Sequence, residues 1–165
     1  MVREKMRILV VSDTHGREEN LELILSQMPM PDHVIHLGDS EGGEDYIREI
    51  ITCPLHIVAG NCDFFSHLPK VDMVEIGGYR IMLTHGHYYY VSVGTRDLVE
   101  DAKANGCNVV MFGHTHRPFV NQDDPELTIL NPGSLSFPRQ EGRRPSYIMM
   151  EIGEDGIARY KIHYL

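Results

Sequence analysis

The residues able to do chemistry stand in five short clusters, each directly after an apolar run. They are Ser12-Asp13-Thr14-His15-Gly16, Gly38-Asp39-Ser40, Gly60-Asn61-Cys62-Asp63, Thr84-His85-Gly86-His87 and Gly113-His114-Thr115-His116. Asp13 and His15 are two apart, as are His114 and His116, and on extended chain both side chains of such a pair reach the same point. Asn and Asp beside Gly are also ordinary turn formers, so one cluster alone reads as a turn. Five together read as a shared ligand set. The donors are two carboxylates, four imidazoles and one amide, with no thiolate. That set suits borderline divalent cations such as Mn, Fe, Zn, Ni or Co, and not a cysteine-rich structural zinc site. Seven donors exceed the needs of one ion and suit two ions sharing a bridging carboxylate.

Elements must exist to bring these clusters together. Residues 7–11, 33–37 and 55–59 read as short buried strands. Residues 18–28 place Leu21, Ile24, Leu25 and Met28 on one helical face, ended by Pro29 and Pro31. Residues 44–51 read as a second helix. This β-α-β-α-β order predicts parallel strands, and ligands in open α/β sheets collect at the carboxyl ends of such strands. The pattern then changes. Residues 71–76 and 79–84 form a hairpin around Gly77-Gly78. Residues 95–105 form a helix with Thr95 as N-cap and Gly106 past its end. Residues 109–112 form a strand, and 127–130, 147–152 and 157–164 close the chain as mostly antiparallel strands. A mixed-sheet α/β sandwich fits this better than one doubly wound sheet.

Composition narrows the function. With 165 residues and neither linker nor repeat, residues 1–165 read as one domain. Fifteen Lys and Arg against 24 Asp and Glu leave a net charge of −9. That surface argues against nucleic acid and anionic lipid as partners. No apolar run approaches a membrane span, and three Cys without C-x-x-C spacing suit a reducing compartment, so the cytoplasm is expected.

The ordered set D-x-H, G-D, G-N, H-G and G-H-x-H resembles the calcineurin-like metallophosphoesterases over nearly the whole chain. The short length, Asn131-Pro132-Gly133-Ser134 and Gly60-Asn61-Cys62-Asp63 are similar to its small bacterial and archaeal branch, the YfcE-type phosphodiesterases. The resemblance implies a four-layer α/β/β/α sandwich and two divalent ions, Mn²⁺ foremost. It implies that Asp13, His15 and His116 hold one ion, that Asn61, His85 and His114 hold the other, and that Asp39 bridges them. A hydroxide between the ions would attack the phosphorus of a small phosphodiester. Two divalent ions, two carboxylates and one hydroxide sum to about +1, which attracts a phosphate ester despite the acidic surface.

Larger members commonly read Gly-Asn-His where this chain reads Gly60-Asn61-Cys62. That His is the usual donor of the leaving-group proton, so here Asp63 or His87 is the candidate donor or orienter. Asn131 and Arg139 are candidate substrate contacts beside Asn61. Arg143 and Arg144 share the basic loop of Arg139. Tyr88-Tyr89-Tyr90 suits pocket lining, core packing or a subunit contact, and self-association stays open. His33, His36, His56, His67 and His163 read as packing or surface residues. Two other functions compete. One is a protein-binding scaffold like the retromer subunit that resembles this branch. The other is a phosphomonoesterase or nucleotide pyrophosphohydrolase on the same fold.

Overall fold

A computed structural model describes residues 5–165. The chain order is β1 (Met6–Val11), α1 (Glu19–Ser26), β2 (His33–His36), α2 (Glu44–Ile50), β3 (Leu55–Ile57), β4 (Val71–Ile76) and β5 (Tyr79–Thr84). A 3₁₀ turn at His87–Tyr89 precedes α3 (Arg96–Ala104), followed by β6 (Val109–Met111), β7 (Phe119–Asp124), β8 (Leu127–Asn131), β9 (Ser146–Ile152) and β10 (Ala158–Tyr164). Two five-stranded sheets result, ordered β10-β9-β1-β2-β3 and β4-β5-β6-β8-β7. Strands β1, β2 and β3 are parallel; β9 pairs antiparallel with β1, and β10 antiparallel with β9. In the other sheet β5, β6 and β8 are parallel, and β4 and β7 close the edges antiparallel.

Side-chain alternation builds the layers. Along β1, Ile8 and Val10 join Ile35, Ile81, Leu83, Val109 and Ile148 in a core between the two sheets. Leu9 and Val11 face the other way, onto Leu21 and Ile24 of α1 and Ile47 of α2. On the second sheet Met82, Val110 and Phe112 pack under Leu98 and Ala102 of α3. Period-two alternation therefore gives both faces of each sheet an apolar cover. The architecture is α/β/β/α, as the resemblance implied.

Three local expectations need correction. Strand β8 pairs parallel with β6 and antiparallel only with β7. Strand β7 itself went unread because Phe119–Asp124 is a half-exposed edge strand with polar residues over most of its length. Thr95 occupies the N-cap of α3, but its side chain makes no capping bond. The other end of α3 matches expectation. Gly106 takes a left-handed φ of 70°. The amides of Gly106 and Cys107 bond the carbonyls of Lys103 and Ala102, closing a Schellman motif.

Candidate metal centre

Strands β1, β2 and β3 of one sheet and β5 and β6 of the other deliver their carboxyl ends to one edge of the sandwich. Backbone bonds sew the loops together there. The Asp13 amide donates to Gly38 O at 3.0 Å, the His15 amide to Asp39 O at 2.9 Å, and the Gly113 amide to His85 O at 3.1 Å. Gly38 must be glycine: its φ is 102°, and a Cβ there would stand 2.8 Å from both the Gly60 amide nitrogen and His85 Nδ1.

The seven expected ligands meet at this edge. His116 Nε2 lies 3.0 Å from Asp13 Oδ1 and 3.3 Å from His15 Nε2. His85 Nε2 lies 3.2 Å from Asp39 Oδ2, 3.8 Å from Asp13 Oδ1 and 3.3 Å from His114 Nδ1. Asn61 Oδ1 is 3.0 Å from His114 Nδ1. Donor atoms of Asp13, His15 and His116 fall within 4.8 Å of one another, as do those of Asp13, Asp39 and His85.

Five of the ligands are held from behind so that one atom is turned to the centre. His116 Nδ1 donates to Phe137 O at 2.7 Å and His85 Nδ1 to Leu37 O at 2.7 Å. His15 Nδ1 meets Glu41 Oε1 at 2.8 Å. The outer nitrogen of each ring is thereby occupied and Nε2 is aimed inward, the orientation that metal-ligating imidazoles share. The carboxylates follow the same rule. Asp39 Oδ1 accepts from the Cys62 amide at 2.8 Å and leaves Oδ2 to the centre. Asp13 Oδ2 accepts from the Ser12 hydroxyl at 2.6 Å and the His114 amide at 3.2 Å. Asp13 Oδ1 is buried and finds no well-aligned hydrogen bond, although His116 Nε2 at 3.0 Å and His15 Nε2 at 3.6 Å face it. A buried, orphaned carboxylate oxygen facing three imidazole nitrogens fits a cation and little else.

The protonation states of the ligands reflect the same crowding. Burial opposes ionisation of Asp13, but hydrogen bonds from His116 and His15 and the nearby imidazoles overcome it and hold its carboxyl well below the usual range. Asp39 moves down the same way, against burial, through its hydrogen bond with His85. The hydrogen bond to Asp13, helped by Glu41 and opposed by burial, lifts His15 to about 9.

The remaining candidates separate into contacts and supports. The Asp63 carboxylate accepts from the amides of Gly60 (2.7 Å), Asp39 (2.8 Å) and Glu41 (2.8 Å) and from the Ser40 hydroxyl (3.3 Å), so it ties two loops together. Asn131 is fully buried. Its amide donates to Gly113 O and Thr115 Oγ1, both at 3.0 Å, and accepts from the Gly133 amide at 2.8 Å. It therefore shapes the loop bearing His114 and His116, and the expected substrate contact through its side chain is corrected: both N–H donors are committed and none is left for a phosphate oxygen. The His87 ring stands 5.5 Å from His85 and 6.2 Å from His114, and burial and those neighbours push its pKa down. Burial raises Cys62 to about 12, so its thiol stays protonated. Arg139 lines a cleft that starts at His15 and His116. Of the three tyrosines, Tyr89 packs under α3 and bonds Asp101, while Tyr88 is exposed with Lys70 over its ring.

Two supports carried no signal of this role in the sequence. Glu41 reaches a histidine 26 positions away, a contact no local pattern announces. His36, read as packing, is fully buried below the centre. Its Nδ1 accepts from the Gly38 amide at 3.2 Å, so Nε2 carries the proton and donates to Thr14 Oγ1 at 3.0 Å. Burial pushes its pKa down to about 4 and keeps it neutral.

Residues 6–155 match the calcineurin-like phosphoesterase superfamily domain. The chain belongs to that superfamily. It is 30% identical over 167 residues to a probable metallophosphoesterase of Mycoplasma genitalium, covering 96% of this chain and 95% of that protein. A solved Streptococcus pneumoniae structure described as a predicted phosphoesterase superposes with a TM-score of 0.82 at 30% identity, covering 98% of this chain and 90% of that one. Vacuolar protein sorting 29 of Cryptosporidium parvum shares the fold, with a TM-score of 0.77 at 20% identity and 98% of each chain covered. The chain is thus a metallophosphoesterase by family, with residues suited to divalent metal. No helix among the described residues is long and apolar enough to cross a membrane.

Proposed function

We propose that this metallophosphoesterase is a cytoplasmic, single-domain phosphodiesterase with a dinuclear centre. The observation that carries the reading is the buried Asp13 Oδ1, without a well-aligned hydrogen bond, among three imidazoles whose Nε2 atoms face it at 3.0 to 3.8 Å. Asp13, His15 and His116 would hold one ion, and Asn61, His85 and His114 the other. The free Oδ2 of Asp39, 3.2 Å from His85 and 3.9 Å from His15, would serve both. A pair of divalent cations, Mn²⁺ foremost, supplies a nucleophile from water at neutral pH and neutralises charge on phosphate oxygens.

The chain's own residues do the rest. Asp63 fixes the loops of Asp39 and Asn61, and so orients two ligands without touching substrate. Glu41 holds the His15 ring in register. Arg139, in the cleft that opens from His15 and His116, is the candidate contact for a phosphate oxygen. His87 is kept neutral, which suits hydrogen bonding to an ester oxygen more than storing a proton. Because every ligand position carries a competent donor, hydrolysis is favoured over the scaffold reading.

Chelation should abolish hydrolysis of bis(4-nitrophenyl) phosphate while far-UV circular dichroism stays unchanged, since the core does not need metal to form. Mn²⁺ should restore it. Asp39→Asn should lose at least one ion per chain by elemental analysis and at least a hundredfold in turnover, on the order of one lost charge contact in a dry site. Two retained ions with normal turnover would sink the bridging assignment. Metal-replete protein inert toward every activated diester would sink the enzyme reading.

A further inference from the structure

The approach to the centre is electrically lopsided. On one side a cleft of about 540 Å³ is lined by Glu41, Glu44, Asp45 and Asp63. On the other a cleft of about 630 Å³ opens from His15 and His116 and is lined by Arg117, Arg139 and Arg143. The basic cleft is the anomaly, because the whole chain carries a net charge of −9. Arg48, Arg80, Arg96 and Arg159 each meet a carboxylate. Among the described residues, Arg117, Arg139 and Arg143 form no ion pair, not even with Glu141 of the same loop. Arg7, Arg17 and Arg144 form none either, but Arg117, Arg139 and Arg143 line one cleft with His15 and His116. Three guanidiniums lining one cleft offer an anion several donors at once.

The cleft is also built into the metal centre. Arg117 follows His116 in the chain, and the Arg139 amide donates to His116 O at 3.1 Å. The carbonyl of Phe137 anchors His116 Nδ1. The Phe137 ring is 43% exposed in the cleft, edge-on to His15 at 5.3 Å, with the Arg17 guanidinium 4.9 Å over its face. Groups that fix a ligand of the centre therefore also place the arginines.

We propose that this cleft binds a second phosphate of the substrate, one carried on an ester arm of the scissile diester. The assignment rests on the phosphodiesterase reading and narrows it to a class: diesters bearing a further phosphate, with an arm able to lie against Phe137. Guanidinium forks match phosphate oxygens in geometry as well as charge. The acidic cleft repels the same group, so the charge pattern orients the diester as well as attracting it.

The test uses thymidine 5′-(4-nitrophenyl phosphate) with and without a 3′-phosphate, which release the same phenolate. It is paired with calorimetric binding of thymidine 3′,5′-bisphosphate and thymidine 5′-monophosphate to Mn²⁺-loaded and metal-free protein. The 3′-phosphate should lower KM about tenfold, and the bisphosphate should bind about tenfold more tightly to the loaded protein. Metal-free protein should retain a preference for the bisphosphate. The Arg117→Ala/Arg143→Ala double variant should shrink these ratios to within about twofold. Equal affinities in the parent protein, or ratios that survive in the double variant, would overturn the proposal. If neither ester is hydrolysed while the binding preference and its loss in the variant hold, the cleft assignment stands and the phosphodiesterase reading falls.

Discussion

The two ends of the sandwich turn the chain in different ways. At the end away from the metal centre, reversals rest on glycine: Gly77 and Gly78 between β4 and β5, Gly106 after α3, and Gly156 between β9 and β10, all with positive φ. At the metal end glycines such as Gly16, Gly38 and Gly86 do the same, but there the chain also reaches the left-handed region with side chains attached. Asp13, His15, Asp39, His114 and His116 have φ between 50° and 69°, and all nine positive-φ non-glycine residues among those described lie in loops at this end. Such a conformation costs of order 1–3 kcal/mol per residue and persists only where surroundings over-determine it. One end is therefore folded by what its residues prefer. The other is folded against preference, by the hydrogen bonds that converge on it, and strain of that kind gathers where geometry serves chemistry.

A pair of glycine substitutions separates the two regimes most strongly. A Cβ on Gly60 would run into the Asp39 backbone amide and carboxylate, whereas one on Gly78 meets nothing within 4 Å. Gly60→Ala should destabilise by about 1–3 kcal/mol through overpacking and lower metal content, read by thermal unfolding and elemental analysis. Gly78→Ala should cost only about 1 kcal/mol of left-handed strain and leave metal content untouched. Normal metal loading in Gly60→Ala would break the contrast.

A second difference is that the metal end buries charge without partners. Glu18, just before α1, is 7% exposed, and neither of its carboxylate oxygens has a hydrogen-bond partner. Burial, reinforced by Glu19 and Glu22, raises its pKa from 4.5 to about 7. An unfolded chain ionises this group at lower pH than the folded one. Stability should therefore be fullest below about 4.5 and fall as pH rises toward 7, by about 1–2 kcal/mol after solvent screening. Glu18→Gln should remove that slope in chemical denaturation across the window. An unchanged slope would place the titration elsewhere.

The smallest effect is expected at Cys62. With its thiol at about 12 and Asp63 committed to four donors, neither group is poised to protonate a leaving group. Cys62→Ser should change turnover less than about threefold, while rates of parent and variant fall steeply as leaving-group pKa rises. Cys62→His should flatten that dependence in an aryl and alkyl diester series. A large loss in Cys62→Ser would give the thiol a role of its own.

Strands and ligands were legible for one shared reason. Each ligand cluster ends an apolar run, so the signal that marks a buried strand also marks where its chemistry begins. Ile8 to Val11 followed by Asp13 and His15 shows this most plainly. What stayed hidden depends on neighbours distant in sequence. Glu41 earns its role from His15, and Arg117 and Arg143 form a cleft only once β6 and the loop before β9 lie side by side. Asn131 misled because Asn before Pro-Gly looks like an exposed turn, whereas its amide is consumed by Gly113, Thr115 and Gly133. Strand β7 was missed because an edge strand with polar residues lacks the pattern that burial imposes.

Strand β9 lies between β1 and β10, with Val10 opposite Ile148. The Ser134 hydroxyl bonds the Asp13 carbonyl across 121 positions. During synthesis, then, the first strand and the first two ligands emerge long before the segments that hold them. A chain still on the ribosome can form the early helix–strand units, but not a competent metal site. Contacts of such long sequence separation also slow folding. The loop of Asp13 and His15 is thus completed only by segments made more than a hundred residues later.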